Sequence, residues 1–344
     1  DLLTADSIYQ IVNTTYGSTP ELLQAMAPNC VTQHQFRKAK TYLMQALKIG
    51  DSKATTMLML TDVQLELGDY EGAVFNLKQL TNKNSFAYLI RLSKIKDHEG
   101  KLDTAILLME KAFERIKNNK ALSAWTKTNL ADMYGHAGRI EEAYHAYLEV
   151  LRKDPNDDYA LKGIAWIALS HDRNYQEAKK IIKFLSGKKD LPEYQLLLAE
   201  LAAVTGNDQD KKAALEKFTA LTKGETLECM YAKYKVMLEA EEFKNPEKAI
   251  AIAEKEIESR PCPQSYNLLA WSYFHKGDHK RALEICRQYV ERKTFEPEAI
   301  YHLGMIYGAN GKAEESKVFL NEALNSAFEL GPSIENDIKK TLAQ

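Results

Sequence analysis

Most of the features that would announce chemistry are missing from this chain of 344 residues. Its four cysteines, Cys30, Cys229, Cys262 and Cys286, include no CxxC pair, so the common zinc and redox motifs are excluded. Each reads as a buried apolar residue; a Cys262–Cys286 disulfide is the other reading, and cysteine leaves the compartment open. Neither sign of charge dominates. The 46 basic and 48 acidic residues leave a net charge of −2, which argues against nucleic acid or an anionic membrane as the partner. No apolar run approaches the ~20 residues that span a bilayer. The longest candidate, LLLAELAAV at 196–204, carries Glu200 and is amphipathic. There is no Gly-rich phosphate loop with GK[ST], no HExxH, no GxSxG and no EF-hand spacing. His275 and His279 have zinc-like spacing, but Gly277 breaks the helix between them. The expectation is a protein that is not an enzyme, with no metal and no cofactor.

What the chain does have is repetition. Pro263–Ser326 holds two copies of one pattern. Leu269 falls over Leu303, Ala270 over Gly304, Tyr273 over Tyr307, Gly277 over Gly311 and Ala282 over Ser316, each 34 residues apart. A fixed period of this size signals a repeat architecture. Apolar residues three and four apart mark one buried helical face in each half of the unit. The glycine closes the first helix, because it enters the left-handed conformation at little cost. Pro261, Pro263 and Pro297 punctuate the junctions between units. Alanine (finally serine) in the second helix acts as a ruler: Ala39, Ala73, Ala105, Ala143, Ala178, Ala213, Ala249, Ala282 and Ser316, at intervals of 32 to 38. At 173–178 the turn glycine is replaced by Asn174, and FKNPEKA replaces the glycine turn in the repeat at 225–261.

This pattern resembles the tetratricopeptide repeat (TPR) family, whose 34-residue unit carries a leucine and small residue, then tyrosine, then an alanine in the second helix, then proline. The residues that carry the resemblance are Leu269, Ala270, Tyr273 and Ala282, then Leu303, Gly304 and Tyr307, and also Leu130, Ala131, Tyr134, Gly138, Ala143, Tyr147 and Pro155. It is strongest in 124–157, 263–296 and 297–324 and covers nearly all of the chain after residue 20. The implied fold is all-α: a right-handed superhelical TPR solenoid of about nine helix-turn-helix repeats at 20–324. A capping helix is expected at 1–19 and a polar capping segment at 325–344. Repeats of this kind contact only their neighbours, so unfolding in parts is expected. No sheet is expected.

The resemblance implies a non-catalytic scaffold or adaptor that binds a protein or peptide on the concave surface lined by first helices. Residues of those helices that point away from the Leu/Ala/Tyr face are the groove candidates. They are Trp125, Asp132 and His136; Tyr159, Lys162 and Trp166; Glu200; Asn267, Trp271 and His275; and Tyr301. All three tryptophans are among them, and tryptophan and tyrosine are favoured as binding anchors. The alternative is that each tryptophan packs against the neighbouring first helix. The Lys and Asn clamp by which chaperone-binding members grip a C-terminal carboxylate is not assembled, since Thr128, Asp132, Lys162 and Trp166 stand in its places.

Two other roles fit the same sequence: a self-assembling structural module, such as a homodimer, or the binding domain of a larger regulator or enzyme. The composition reads as bacterial. The chain begins at Asp1 without methionine, as trimming or loss of an export signal would leave it. Location is open between cytoplasm and a periplasmic or secreted site, and no direct membrane insertion is expected.

Overall fold

The computed structural model describes residues 2–50 and 53–343. Asp1, Asp51, Ser52 and Gln344 lie outside the described residues, and with them one end of each expected capping segment. Among the described residues every regular element is a helix, and there is no strand. The helices alternate as first and second members of pairs, for example Lys120–His136 with Ile140–Leu151, and Pro297–Ala309 with Ala313–Leu324.

The pairs form because small residues let two backbones meet. The ruler alanines Ala39, Ala73, Ala105, Ala143, Ala178, Ala249 and Ala282 are all fully buried. In the sixth pair Ala213 is exposed and Ala214 is buried. The ruler there moves by one residue, and the two adjoining intervals become 36 and 35 instead of 35 and 36. Gly304 meets Leu320 so closely that a Cβ would lie 2.6 Å from its side chain.

Turn chemistry explains how each pair closes. Gly68, Gly100, Gly138, Gly206, Gly277 and Gly311 all take positive φ, between 68° and 86°. Three pairs lack this glycine: in the first, Pro20–Thr32 with Phe36–Ile49, His34 takes the positive φ (57°), and the other two are the fifth and seventh. There Arg173 (φ 56°) and Lys244 (φ 52°) adopt the left-handed conformation, at roughly 1 kcal/mol or more for a side-chain-bearing residue. Asn174, expected to stand in for the glycine, instead caps the next helix by accepting from the Glu177 amide. Asn245 does the same for Lys248. In both pairs the first helix ends in a widened π turn, Ile167–His171 and Leu238–Glu242. Such widened turns are usually single-turn features inside longer helices.

The described residues make two compact units, each assembled from two separate stretches of chain. The first unit is Asp1–Ile95 with Gly224–Thr294; the second is Lys96–Lys223 with Phe295–Gln344. Contacts inside each unit depart from the expected neighbour-only pattern. In the first, Arg37 Nε donates to the Glu258 carbonyl at 2.6 Å. Ser259 Oγ donates to the His34 carbonyl at 2.5 Å. Arg260 pairs with Glu66 at 2.8 Å. Gly68 lies against Pro261, where a Cβ would come within 2.9 Å of the carbonyl oxygen. In the second, Gly100 lies against the ring of Phe295. The C-terminal helix Ala327–Leu342 was expected to be a polar cap. It carries Leu330 and Ile338 into buried positions and packs against helices well over a hundred residues earlier.

Candidate functional site

The C-terminal helix defines a site on the second unit. It breaks at Gly331 (φ 83°, ψ 167°), where Pro332 starts a second helical stretch. A break of this kind frees a carbonyl on one side and an amide on the other. Both are taken by first-helix side chains. The Phe328 carbonyl accepts from Trp166 Nε1 at 3.0 Å and from Ser170 Oγ at 2.7 Å. The Ser333 amide donates to Glu200 Oε1 at 3.0 Å. A carboxylate at a fresh helix N-terminus is also favoured by the helix dipole. The shapes match as well. Any Cβ on Gly135 would overlap the Phe328 ring, and one on Gly331 would come within 2.9 Å of Trp166 Cη2.

Charges frame this contact. Glu329 faces His136 Nε2 at 3.6 Å, and Glu335 pairs with Arg173. Burial pushes the Glu200 carboxyl above its usual range, against the opposing hydrogen bonds from Ser333. Burial also pushes Glu335 up, but hydrogen bonds and charge from Lys339 and Arg173 hold it below the usual range.

A second group of the expected residues lies on the same unit. Trp125 is 46% exposed and Tyr159 45% exposed. The Lys162 ammonium stands 4.4 Å from the centre of the Tyr159 ring, a cation–π arrangement. The Tyr159 hydroxyl donates to Asp132 at 2.6 Å, and Tyr147 donates to the other oxygen of the same carboxylate. Gly163 makes room for the Tyr147 ring, which a Cβ there would overlap. Burial, and then Asp132, raise the pKa of both tyrosines, so they remain donors. Tyr301 is buried and donates to Asp337 of the C-terminal helix at 2.7 Å.

The remaining three expected residues belong to the first unit. Trp271 is only 3% exposed. Its ring stacks on Phe274 at 4.7 Å, and its Nε1 donates to Glu241 at 2.7 Å. His275 meets the Trp271 ring edge-on at 4.6 Å. Burial and the nearby charge of Lys244 push the His275 pKa down to about 4. Asn267 is buried. Among the described residues, the cysteines form no disulfide and no cluster of three metal-ligating side chains occurs.

Sequence reasoning missed Ser170, Arg173 and the whole C-terminal occupant. A signal was present: Leu330, Ile334 and Ile338 recur every four residues in a tail whose polar letters drew the eye. No pattern local to Trp166 names Phe328 as its acceptor, because the two are 162 residues apart.

Paired helices, a buried small residue in each second helix and a left-handed turn between them define a helical repeat protein. The comparisons with known proteins say which kind. Tetratricopeptide repeat models match residues 128–182, 238–297 and 297–329. A coatomer epsilon subunit model matches residues 3–110. A TPR repeat-containing protein of Methanocaldococcus jannaschii is 23% identical over 297 residues, which is 86% of this chain and 48% of that protein. The chain thus spans about half the length of the curated relative it matches. Among solved structures, the human IFIT1 dimer with m7Gppp-AAAA is similar at a TM-score of 0.50 and 15% identity, over 93% of this chain and 76% of that one. A tetratricopeptide repeat protein from Parabacteroides merdae matches at a TM-score of 0.42 and 18% identity, over 75% of this chain and 99% of that one. Residues 128–182 and 238–329 are thus matched as tetratricopeptide repeats, and the fold is an all-α TPR solenoid. That family is generally non-catalytic and mediates interactions between macromolecules. No helix among the described residues is long and apolar enough to cross a membrane.

Proposed function

We propose that this chain is a non-catalytic adaptor that holds a protein or peptide partner on the first-helix face of its second unit. One observation carries the reading: that face already holds a helix, through directed hydrogen bonds from Trp166, Ser170 and Glu200. A face built only to close a core would be apolar, whereas this one presents donors and a carboxylate at fixed places. Trp125, Tyr159 and Lys162 extend it with exposed aromatic and cationic surface of the kind that anchors partners. Asp132 fixes the tyrosine, so less side-chain freedom is lost on binding. The near balance of charge favours a protein partner over nucleic acid.

The test is affinity capture with the full chain, before and after nuclease treatment, beside the Trp125→Ala/Tyr159→Ala variant. The expected result is a protein partner retained by the wild type, indifferent to nuclease, and weakened at least tenfold by the double substitution. Capture abolished by nuclease, or unchanged by the substitutions, rejects the reading.

A further inference from the structure

The C-terminal helix is more than a cover for the last pair. A terminal helix that only shields an apolar edge satisfies its own backbone and presents a smooth stripe. Ala327–Leu342 instead breaks in the middle, at a glycine in the left-handed region followed by proline. Each backbone group freed by the break points at a side chain of the first-helix face. Its aromatic residue fills the space above Gly135, and its glycine lies flat on Trp166. These are the features of a bound peptide: an anchor, a shaped turn and paired polar groups.

The attachment is also of a kind that releases. Only Asn325 and Ser326 separate the segment from the preceding helix Ala313–Leu324. The flanking ion pairs, Glu329 with His136 and Glu335 with Arg173, involve partly exposed side chains and hold little net energy. Glu200 is desolvated by the contact, so opening returns a buried carboxylate to water.

We propose that the segment from Ala327 to Leu342 is an internal ligand, displaced when a partner helix of the same chemistry takes its place. The proposal rests on the adaptor reading above and deepens it by naming the partner's form. That partner segment carries an aromatic residue, a Gly-Pro break three to four residues later, a free amide directly after the break for Glu200, and a carboxylate within the next turn for Arg173. The interior of an unbroken helix has no free carbonyl to offer Trp166 and Ser170 together.

Two experiments on the full chain decide it. The first is native-state hydrogen exchange of the wild type across low urea concentrations. An internal ligand that opens by itself exchanges residues 327–342 at least tenfold faster than the helix Lys120–His136, at a rate nearly independent of urea. Exchange that tracks global unfolding in both helices overturns the proposal. The second uses Gly331→Val, which strains the backbone and drives a side chain into Trp166. Its probe is a labelled synthetic peptide of residues 326–343. The variant is expected to bind the peptide at least tenfold more tightly than the wild type does, and a peptide carrying the same Gly→Val change is expected not to compete. A folded variant that ignores the peptide overturns the proposal, as does a concentration-dependent dimer of the wild type, which would mean exchange between copies. Should the variant fail to fold, the wild-type exchange pattern decides alone. The two readings fail separately. Partner capture through Trp125 and Tyr159 with residues 327–342 still protected keeps the adaptor and rejects the internal ligand. Free opening with no partner captured does the reverse.

Discussion

Trp166 and Trp271 occupy the same place in their repeats, directly after the small residue of the first helix, in GIAW and LLAW. Their surroundings differ. Trp271 lies inside the first unit, flat on Phe274, with its N–H on Glu241 of the preceding repeat. Trp166 lies in the second unit, where its N–H reaches a backbone carbonyl of the C-terminal helix. The repeat sets where an indole begins; what lies across from it sets what the indole does. An equivalent position in a repeat is therefore an equivalent direction and not an equivalent role.

Three measurements break or sharpen this contrast. The largest effect is expected from Trp271→Ala. Removing a buried ring and one donor to Glu241 costs about 3–5 kcal/mol, read as a lower midpoint in thermal or urea unfolding. Trp166→Ala costs less, about 2 kcal/mol, because the ring is only partly buried. Its mark is local: amides of residues 327–342 lose protection while the first unit keeps its own. Equal loss in both units would erase the distinction between the tryptophans.

The smallest effect is one of sign. Beside Trp271, His275 has its pKa depressed from 6.5 to about 4. Its contribution to stability is present above pH 6.5 and is lost as pH falls toward 4, because the unfolded chain then binds the extra proton. Beside Trp166, Glu200 has its pKa raised above 4.5. Its contribution is fully present below that value and fades as pH rises through the raised one. Hydrogen exchange at several pH values should show the first unit loosening in acid. The contact at Glu200 should tighten there, and Glu200→Gln should flatten that dependence.

The period of the fold was legible because a small residue in each second helix meets the first at close range, and seven of the ruler alanines are fully buried. The one slip, Ala213 for Ala214, came from two adjacent alanines that spacing does not separate. Turn glycines were legible because few other residues take positive φ; Arg173 and Lys244 were not, because they break the rule. For the candidate site, sequence spacing placed Trp166 and Glu200 on first helices, and there the structure sets them against the C-terminal helix. It was silent on the occupant, since Trp166–Phe328 and Glu200–Ser333 join residues 162 and 133 positions apart. The expected polar tail was misjudged for a related reason: three apolar residues at helical spacing matter only when a surface awaits them.

Two of the turns that lack glycine have a consequence for how such chains are compared. Arg173 accepts a strained backbone and sends its guanidinium to Glu335; Lys244 accepts the same strain and places its charge beside His275. Glycine would relax either turn and deliver nothing. An alignment weighted toward consensus would score both positions as decay. They are better treated as addresses, where a departure from the family pattern carries information that the pattern itself lacks. Strained, charged turns of this sort offer a way to tell one member of a repetitive family from another when overall identity is too low to help.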